Sequence, residues 1–296
     1  MKVFHHNDMD GRCAGAVVAF NEKNYDRENF FDVNYINDLP LDKVAEGEKV
    51  YLVDYSFTEA TVWQLKKLVE ELKCEVIWID HHDSSISLET DNQWLSENLS
   101  KIKGTRSKDF CGAVLTWLYF NSETDKNIPH FLRYVDDYDC WKNNLQPETT
   151  YFKLFIDTQK CWATGDIWKD FLNEEVDLQT ILEQGKTVKA YVDEDLLRAR
   201  KSLAYESKIR TSKTESLPCI VINRRMNSSI FGELINEYPV AITWTFNGRR
   251  FLYTLYSADP KIDCSKIAEN YGGGGHKGAA GFSSTKLLFK EGGMTK

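Results

Sequence analysis

The sequence sets carboxylates and imidazoles close together at several points. His6-Asn7-Asp8-Met9-Asp10-Gly11 carries His6, Asp8 and Asp10 at alternate positions. A loop leaving a strand can turn alternate side chains into one site, although the same residues also make a polar Asp-x-Asp-Gly turn. Asp54 ends the apolar run Leu52-Val53, as a ligand or as the cap of a following helix, and Asp80-His81-His82-Asp83 follows Ile77-Trp78-Ile79. A solvated loop explains poorly why two imidazoles stand directly behind a carboxylate at the end of a buried strand. Asp136, Asp137 and Asp139 form a further acidic group within Tyr134–Trp141, which reads as a solvated helix face for at least some of the three. Carboxylate and imidazole donors suit Mn²⁺ and related divalent ions, and these are enough for two ions. The chemistry such a site performs is hydrolysis at phosphorus, with water activated by the metals.

Elements that converge on one edge have to hold these residues. Lys2–His5, Tyr51–Asp54 and Glu75–Asp80 read as strands, with helical composition over Cys13–Phe20 and helical spacing over Thr58–Leu72. That alternation predicts an α/β domain with a parallel sheet, whose strand ends carry the site. Cys111–Leu197 reads as mostly helical, and Asp177–Glu206 as a long charged helix that connects two domains or packs as an ordinary helix. Beyond it, Cys219–Ile222, Val240–Phe246 and Phe251–Tyr256 are β-rich, with a short helix over Ser228–Glu237, which predicts a smaller α+β domain. The 296 residues, with 42% hydrophobic content, support two cores.

Composition narrows the classes of function. The formal net charge of −8 disfavours a protein that tracks long duplex nucleic acid, and points to a short substrate or a local basic pocket. Seven widely spaced cysteines without a Cys-x-x-Cys pair argue for a reducing compartment and against a cysteine-rich zinc site. No apolar run approaches the roughly 18 residues of a spanning helix, so a soluble cytoplasmic protein without a membrane partner is expected. The oligomeric state is open, a homodimer included.

Near the end of the chain, Tyr271-Gly272-Gly273-Gly274-Gly275-His276-Lys277-Gly278-Ala279-Ala280-Gly281-Phe282 places four glycines before a histidine. Exposed amides in such a run can cradle an anion; the alternative is a helix cap and loop. Together with Asp80-His81-His82 and His6-x-Asp8-x-Asp10-Gly11, this run resembles the DHH phosphoesterases and their associated C-terminal GGGGH domain over nearly the whole chain. The resemblance implies a DHH domain over 1–180, a helical linker over 181–206 and a substrate-binding domain over 207–296. It implies two Mn²⁺ ions, with Mg²⁺ or Co²⁺ as substitutes. Asp54 would bridge them, His6 and Asp8 would serve the first, and Asp10, His81 and Asp139, or else Asp136, the second. Asp80 would orient His81, and His82 would face the phosphate. Gly273, Gly274, Gly275, His276 and Lys277 would grip the substrate.

Short-oligonucleotide members of the family carry a Ser-Leu-Arg-Ser stretch where this chain has Thr254-Leu255-Tyr256-Ser257. The phosphate-binding arginine is therefore absent, and Arg224, Arg225, Arg249, Arg250 or Lys277 replaces it, or Tyr256 stacks on a base instead. The leading expectation is a Mn²⁺-dependent nuclease of short oligonucleotides, similar to the family's oligoribonucleases and also able to dephosphorylate phosphoadenosine phosphate. The alternatives are hydrolysis of a cyclic or linear dinucleotide, hydrolysis of polyphosphate or pyrophosphate, and non-catalytic nucleotide binding. Cys13 reads as a core residue rather than a nucleophile.

Overall fold

The computed structural model describes residues 1–121, 128–290 and 293–294. The chain divides into two compact units, Met1–Lys189 and Ala190–Lys296.

The first unit begins with β1 (Lys2–His6), α1 (Met9–Glu22), β2 (Phe30–Val33), β3 (Lys49–Val53), the short α2 (Trp63–Lys66) with wider turns to Glu71, and β4 (Glu75–Ile79). It continues through α3 (Asp83–Asp91), α4 (Gln93–Asn98), β5 (Ile102–Lys103), α5 (Gly112–Asn121), α6 (His130–Asp139), α7 (Glu148–Asp157) and α8 (Asp166–Leu172). The five strands pair in the order β2-β1-β3-β4-β5, every pair parallel. Parallel pairing needs helices on both faces, and the strands alternate accordingly. Val3, Tyr51, Val53, Ile77 and Ile79 pack with α1, α5 and α6. Phe4, Val50, Leu52, Val76 and Trp78 pack on the other face with Leu65, Leu68, Leu88 and Leu95. The strand order reverses between β1 and β3, so the crevice at their carboxyl ends is where such a sheet accepts a ligand.

Helix α9 (Leu178–Leu203) is a single 26-residue helix, and the division between the units falls within it. The expected helix end at Glu206 is corrected, because Ala204 starts β6 (Ala204–Arg210), which pairs along its whole length with β7 (Ser216–Ile222). After α10 (Leu234–Glu237) come β8 (Val240–Phe246), β9 (Phe251–Tyr256), α11 (Cys264–Glu269), β10 (Gly274–Gly275), β11 (Ala279–Ser284), β12 (Phe289–Lys290) and β13 (Gly293–Met294). The second unit is built on a six-stranded mixed sheet in the order β10-β11-β9-β8-β7-β6. One face packs Cys219, Val221, Ile242, Tyr253 and Leu255 against Ile267 and Ala268 of α11; the other packs Ile220, Ile222 and Ala241 against Leu196 and Ala199 of α9.

Candidate functional site

Every strand end that borders the crevice carries a polar side chain. His6 is the last residue of β1, and Asp54 and Asp80 directly follow β3 and β4. The register explains their approach: Val53 lies beside His5 and Ile79, and the Asp54 amide donates to the Ile79 carbonyl at 2.9 Å. Asp54 takes φ +52, a conformation costly for a side-chain-bearing residue that concentrates at functional sites.

The expected loop at the first motif is instead a helix start. Asp8 caps α1, its Oδ1 accepting from the Gly11 amide at 2.9 Å and its Oδ2 from His6 Nδ1 at 2.7 Å. Asp10 therefore sits in the first turn of α1, fully buried, and its two oxygens accept the amides of Gly112 and Ala113 at 2.7 and 2.8 Å. Gly112 makes this approach possible, because a Cβ there would stand 2.6 Å from Asp54 Cβ and 2.9 Å from Asp10 Oδ2.

His81 reaches into the centre. Its Nε2 is 3.3 Å from Asp54 Oδ1, 3.2 Å from Asp139 Oδ2 and 3.8 Å from Asp10 Oδ2. On the other side, Asp54 Oδ2 lies 3.9 Å from His6 Nδ1. Two donor groups thus share Asp54: His6 with Asp8, and His81 with Asp139 and Asp10.

Asp136 does not join the cluster. Its Oδ1 accepts the Cys111 amide at 2.9 Å and its Oδ2 pairs with Lys142 at 2.6 Å, so its place among the expected ligands is corrected. Asp137 is occupied by the Asn144 amide and the Thr149 hydroxyl, both at 2.6 Å. Three carboxylates at the negative end of α6 need compensation. Two obtain it from donors of their own, while Asp139 has His81.

The expected orientation of His81 by Asp80 is also corrected. Asp80 and His82 are two residues apart on extended backbone and face the same way. Asp80 Oδ1 bonds His82 Nδ1 at 2.8 Å, and Oδ2 accepts from Ser85 Oγ at 2.5 Å. His81 Nδ1 faces the Cys140 sulfur at 4.0 Å instead. Cys140 and Ser85 had no motif to mark them. Neither did Tyr35, half exposed just beyond β2, whose ring lies 5.1 Å from that of His6 and 6.2 Å from that of His82.

The donor set fits a divalent cation. Burial pushes the Asp54 carboxyl well above its ordinary range, and Asp10, Asp8, Asp80 and Asp139 push it the same way. Burial and Asp10 raise Asp139 to about 7 even with His81 beside it. Burial alone would lower the His81 imidazole, but the Cys140 contact and the charges of Asp10, Asp139 and Asp80 outweigh it and raise the group to about 9. Carboxylates gathered in a low-dielectric crevice gain most from a positive ion with oxygen and nitrogen preferences.

In the second unit the last two glycines of the run form a strand rather than an open loop. Gly274 and Gly275 pair antiparallel with Gly281 and Ala280, and His276 and Ala279 close the hairpin by exchanging backbone hydrogen bonds at 2.8 and 3.2 Å. The amides of Gly272, Gly273 and His276 are already bonded within the chain, which corrects the expectation that the run offers its amides freely. A Cβ at Gly273 would stand 2.1 Å from the Gly281 carbonyl, so that glycine is required by strand packing. A Cβ at Gly274 would meet open space, so packing explains nothing of it. His276 and Lys277 are exposed at the hairpin tip. Tyr256 lies across from Ala279, its hydroxyl donating to the Met226 carbonyl at 3.3 Å.

Two curated proteins resemble the chain in sequence, and a solved structure resembles it in fold. Over 97% of its length the chain is 25% identical to Oligoribonuclease NrnB of Bacillus subtilis, covering 74% of that protein. The chain is thus similar, over nearly its whole length, to a nuclease of short RNA. A second match, Uncharacterized protein R106 of Acanthamoeba polyphaga mimivirus, is 25% identical over 82% of the chain, which spans about half (54%) of that relative's length. The fold is that of the pGpG-specific phosphodiesterase PggH of Vibrio cholerae, with a TM-score of 0.55 at 12% identity over 96% of this chain and 93% of that one. No family model matches the chain.

Proposed function

We propose that this chain is a divalent-metal-dependent phosphodiesterase of the DHH family that hydrolyses short oligonucleotides. One observation carries the reading: His6, Asp8, Asp10, Asp54, His81 and Asp139, from four segments of the chain, meet around a buried carboxylate whose surroundings favour a cation. His6, Asp8 and Asp54 would hold one ion, and Asp54, Asp10, His81 and Asp139 a second, with Mn²⁺ suited to these donors. When bound, such ions supply Lewis-acid stabilisation of charge developing on phosphoryl oxygens.

The chain's own groups do the rest. Asp80, fixed by Ser85, holds His82 through Nδ1 and favours its protonated form, so the other ring nitrogen can donate to a phosphoryl oxygen. Burial opposes that protonation, and the Asp80 hydrogen bond and charge outweigh it. Exposed His276 and Lys277, with the backbone at Gly274, suit a substrate phosphate or terminal nucleotide, and Tyr256 lies in the same sheet. The net charge of −8 and the name of the Bacillus relative support a short substrate. The seven free cysteines fit a cytoplasmic location. No helix among the described residues is long and apolar enough to cross a membrane.

The test is an assay of purified protein with Mn²⁺ on di- to pentanucleotides, pGpG, cyclic dinucleotides, phosphoadenosine phosphate and polyphosphate. Release of mononucleotides from the short linear substrates, abolished by chelator, is the expected result. Metal uptake with no turnover of any phosphodiester would refute the proposal and leave nucleotide binding alone; turnover of polyphosphate only would replace its substrate class.

A further inference from the structure

A groove of about 370 Å³ opens in the first unit beside Asp8 and runs between the start of α1 and helices α6 and α7. It is lined by Asn7, Arg12, Tyr138, Lys153 and Gln159 among others. Both of its walls begin at the metal cluster, one at Asp8 and the other at Tyr138, the residue before Asp139. None of these five side chains has a part in the reading of the cluster itself.

The lining is specific in its chemistry. Tyr138 is 43% exposed, so part of its aromatic ring is open to the groove. Lys153 lies 5.5 Å over that ring while paired with Asp157. Arg12 is fixed on one edge by Asp32, through Nη2 at 2.7 Å and Nε at 3.2 Å, and stands 5.4 Å over Trp162; its Nη1 has no hydrogen-bond partner among the described residues. The Asn7 side-chain amide is likewise without a partner among the described residues, and Gln159 bonds only through its nitrogen, to Thr158 at 2.9 Å.

Two cations, Arg12 and Lys153, face two carboxylates, Asp8 and Asp157, so the groove is close to neutral and is not a general anion trap. What fits is a flat ring with donors and acceptors along its edge, joined to a phosphate at the cluster. An aromatic face serves the ring and side-chain amides serve its edge. The volume lies in the usual range for a small-ligand pocket.

We infer that this groove seats the nucleoside on one side of the scissile phosphate, with its base on Tyr138 and its edge read by Asn7 and Gln159. The inference rests on the phosphodiester-hydrolase reading above and names the part of the chain that would give it base preference.

The test crosses changes in protein and substrate. Wild-type protein, Tyr138→Ala, Tyr138→Phe and Gln159→Ala are assayed on a dinucleotide and on its two analogues that each lack one base. Deleting the seated base is expected to lower wild-type kcat/KM roughly tenfold or more, mainly through KM, in line with the stacking of one base. Tyr138→Ala should lose the same factor on the intact dinucleotide, with no further loss on that analogue, while Tyr138→Phe keeps the wild-type pattern. Gln159→Ala should change the ranking of the four bases. Metal affinity by calorimetry, unchanged in Tyr138→Ala, separates loss of stacking from displacement of Asp139. If Tyr138→Ala costs nothing, or its loss multiplies with the loss from either base, the groove is not the seat. If the wild type turns over no dinucleotide at all, the hydrolase reading falls first and this inference falls with it.

Discussion

Replacing Asp54 by Asn should make the metal-free protein more stable and remove its response to metal. Asp54 is 2% exposed, and the cause of its raised carboxyl range is burial among Asp10, Asp8, Asp80 and Asp139. A carboxyl that ionises in the unfolded chain near pH 4 but resists ionising when folded lowers stability as pH rises above that value. The effect levels off once pH passes the folded value. At pH 7 the penalty from one such group cannot exceed about 4 kcal/mol, at about 1.4 kcal/mol for each pH unit. Relief of half of that, about 2 kcal/mol, corresponds to roughly 4–8 °C in the melting temperature of a unit of this size.

Asp139, raised to about 7, and His81, raised to about 9, act in the same direction, so metal-free wild type should melt progressively lower from about pH 5 to pH 9. Asparagine keeps the shape of the side chain without its charge. The assay is a melt of chelator-stripped wild type and Asp54→Asn at several pH values, with and without Mn²⁺. The variant is expected to melt higher than wild type without metal, with a shallower pH slope, and to gain nothing from Mn²⁺, while wild type gains. A metal-free variant that melts lower than wild type, or both proteins gaining equally from Mn²⁺, would refute the reasoning.

The choice between the acidic residues of α6 has a direct check: Asp139→Asn should abolish uptake at the site near His81, whereas Asp136→Asn should keep it and lower stability by about 1–3 kcal/mol through loss of the Lys142 pair. Calorimetric metal titration together with chemical denaturation reads both. Gly112→Ala, whose Cβ would press on Asp54 and Asp10, should weaken metal binding about 10- to 100-fold, and unchanged affinity would mean that the close packing is not needed. His276→Ala should raise KM for short oligonucleotides and leave kcat near wild type, since the residue lies on an exposed hairpin tip; lost kcat with unaltered KM would contradict a binding role.

Much of this arrangement is legible in the sequence because short apolar runs ending in Asp or His report both a strand and the edge at which it stops. Leu52-Val53-Asp54 and Ile77-Trp78-Ile79-Asp80 are of that kind, and the parallel sheet aligns them. What periodicity cannot show is how a polar side chain divides its bonds with distant partners. Asp139 and Asp136 look alike in sequence, and only the fold brings Lys142 and the Cys111 amide to Asp136 and His81 to Asp139. The helix start at Asp8 was hidden for a related reason, since Asp-x-Asp-Gly suits a turn and a cap equally until the Gly11 amide is seen to bond Asp8. The glycine run misled because glycine disfavours strands, yet contact with the Gly281 carbonyl leaves no room for a side chain at Gly273. Strands β2 and β5 went unread because they lie at the sheet's edges, with only four and two residues.

The most direct test of the account is a crystal structure of the protein soaked in Mn²⁺ and measured at the manganese absorption edge. Two anomalous peaks that share Asp54 are expected, one also contacting His6 and Asp8, the other contacting Asp10, His81 and Asp139. No peak there, or manganese bound only at surface carboxylates away from Asp54, would contradict it.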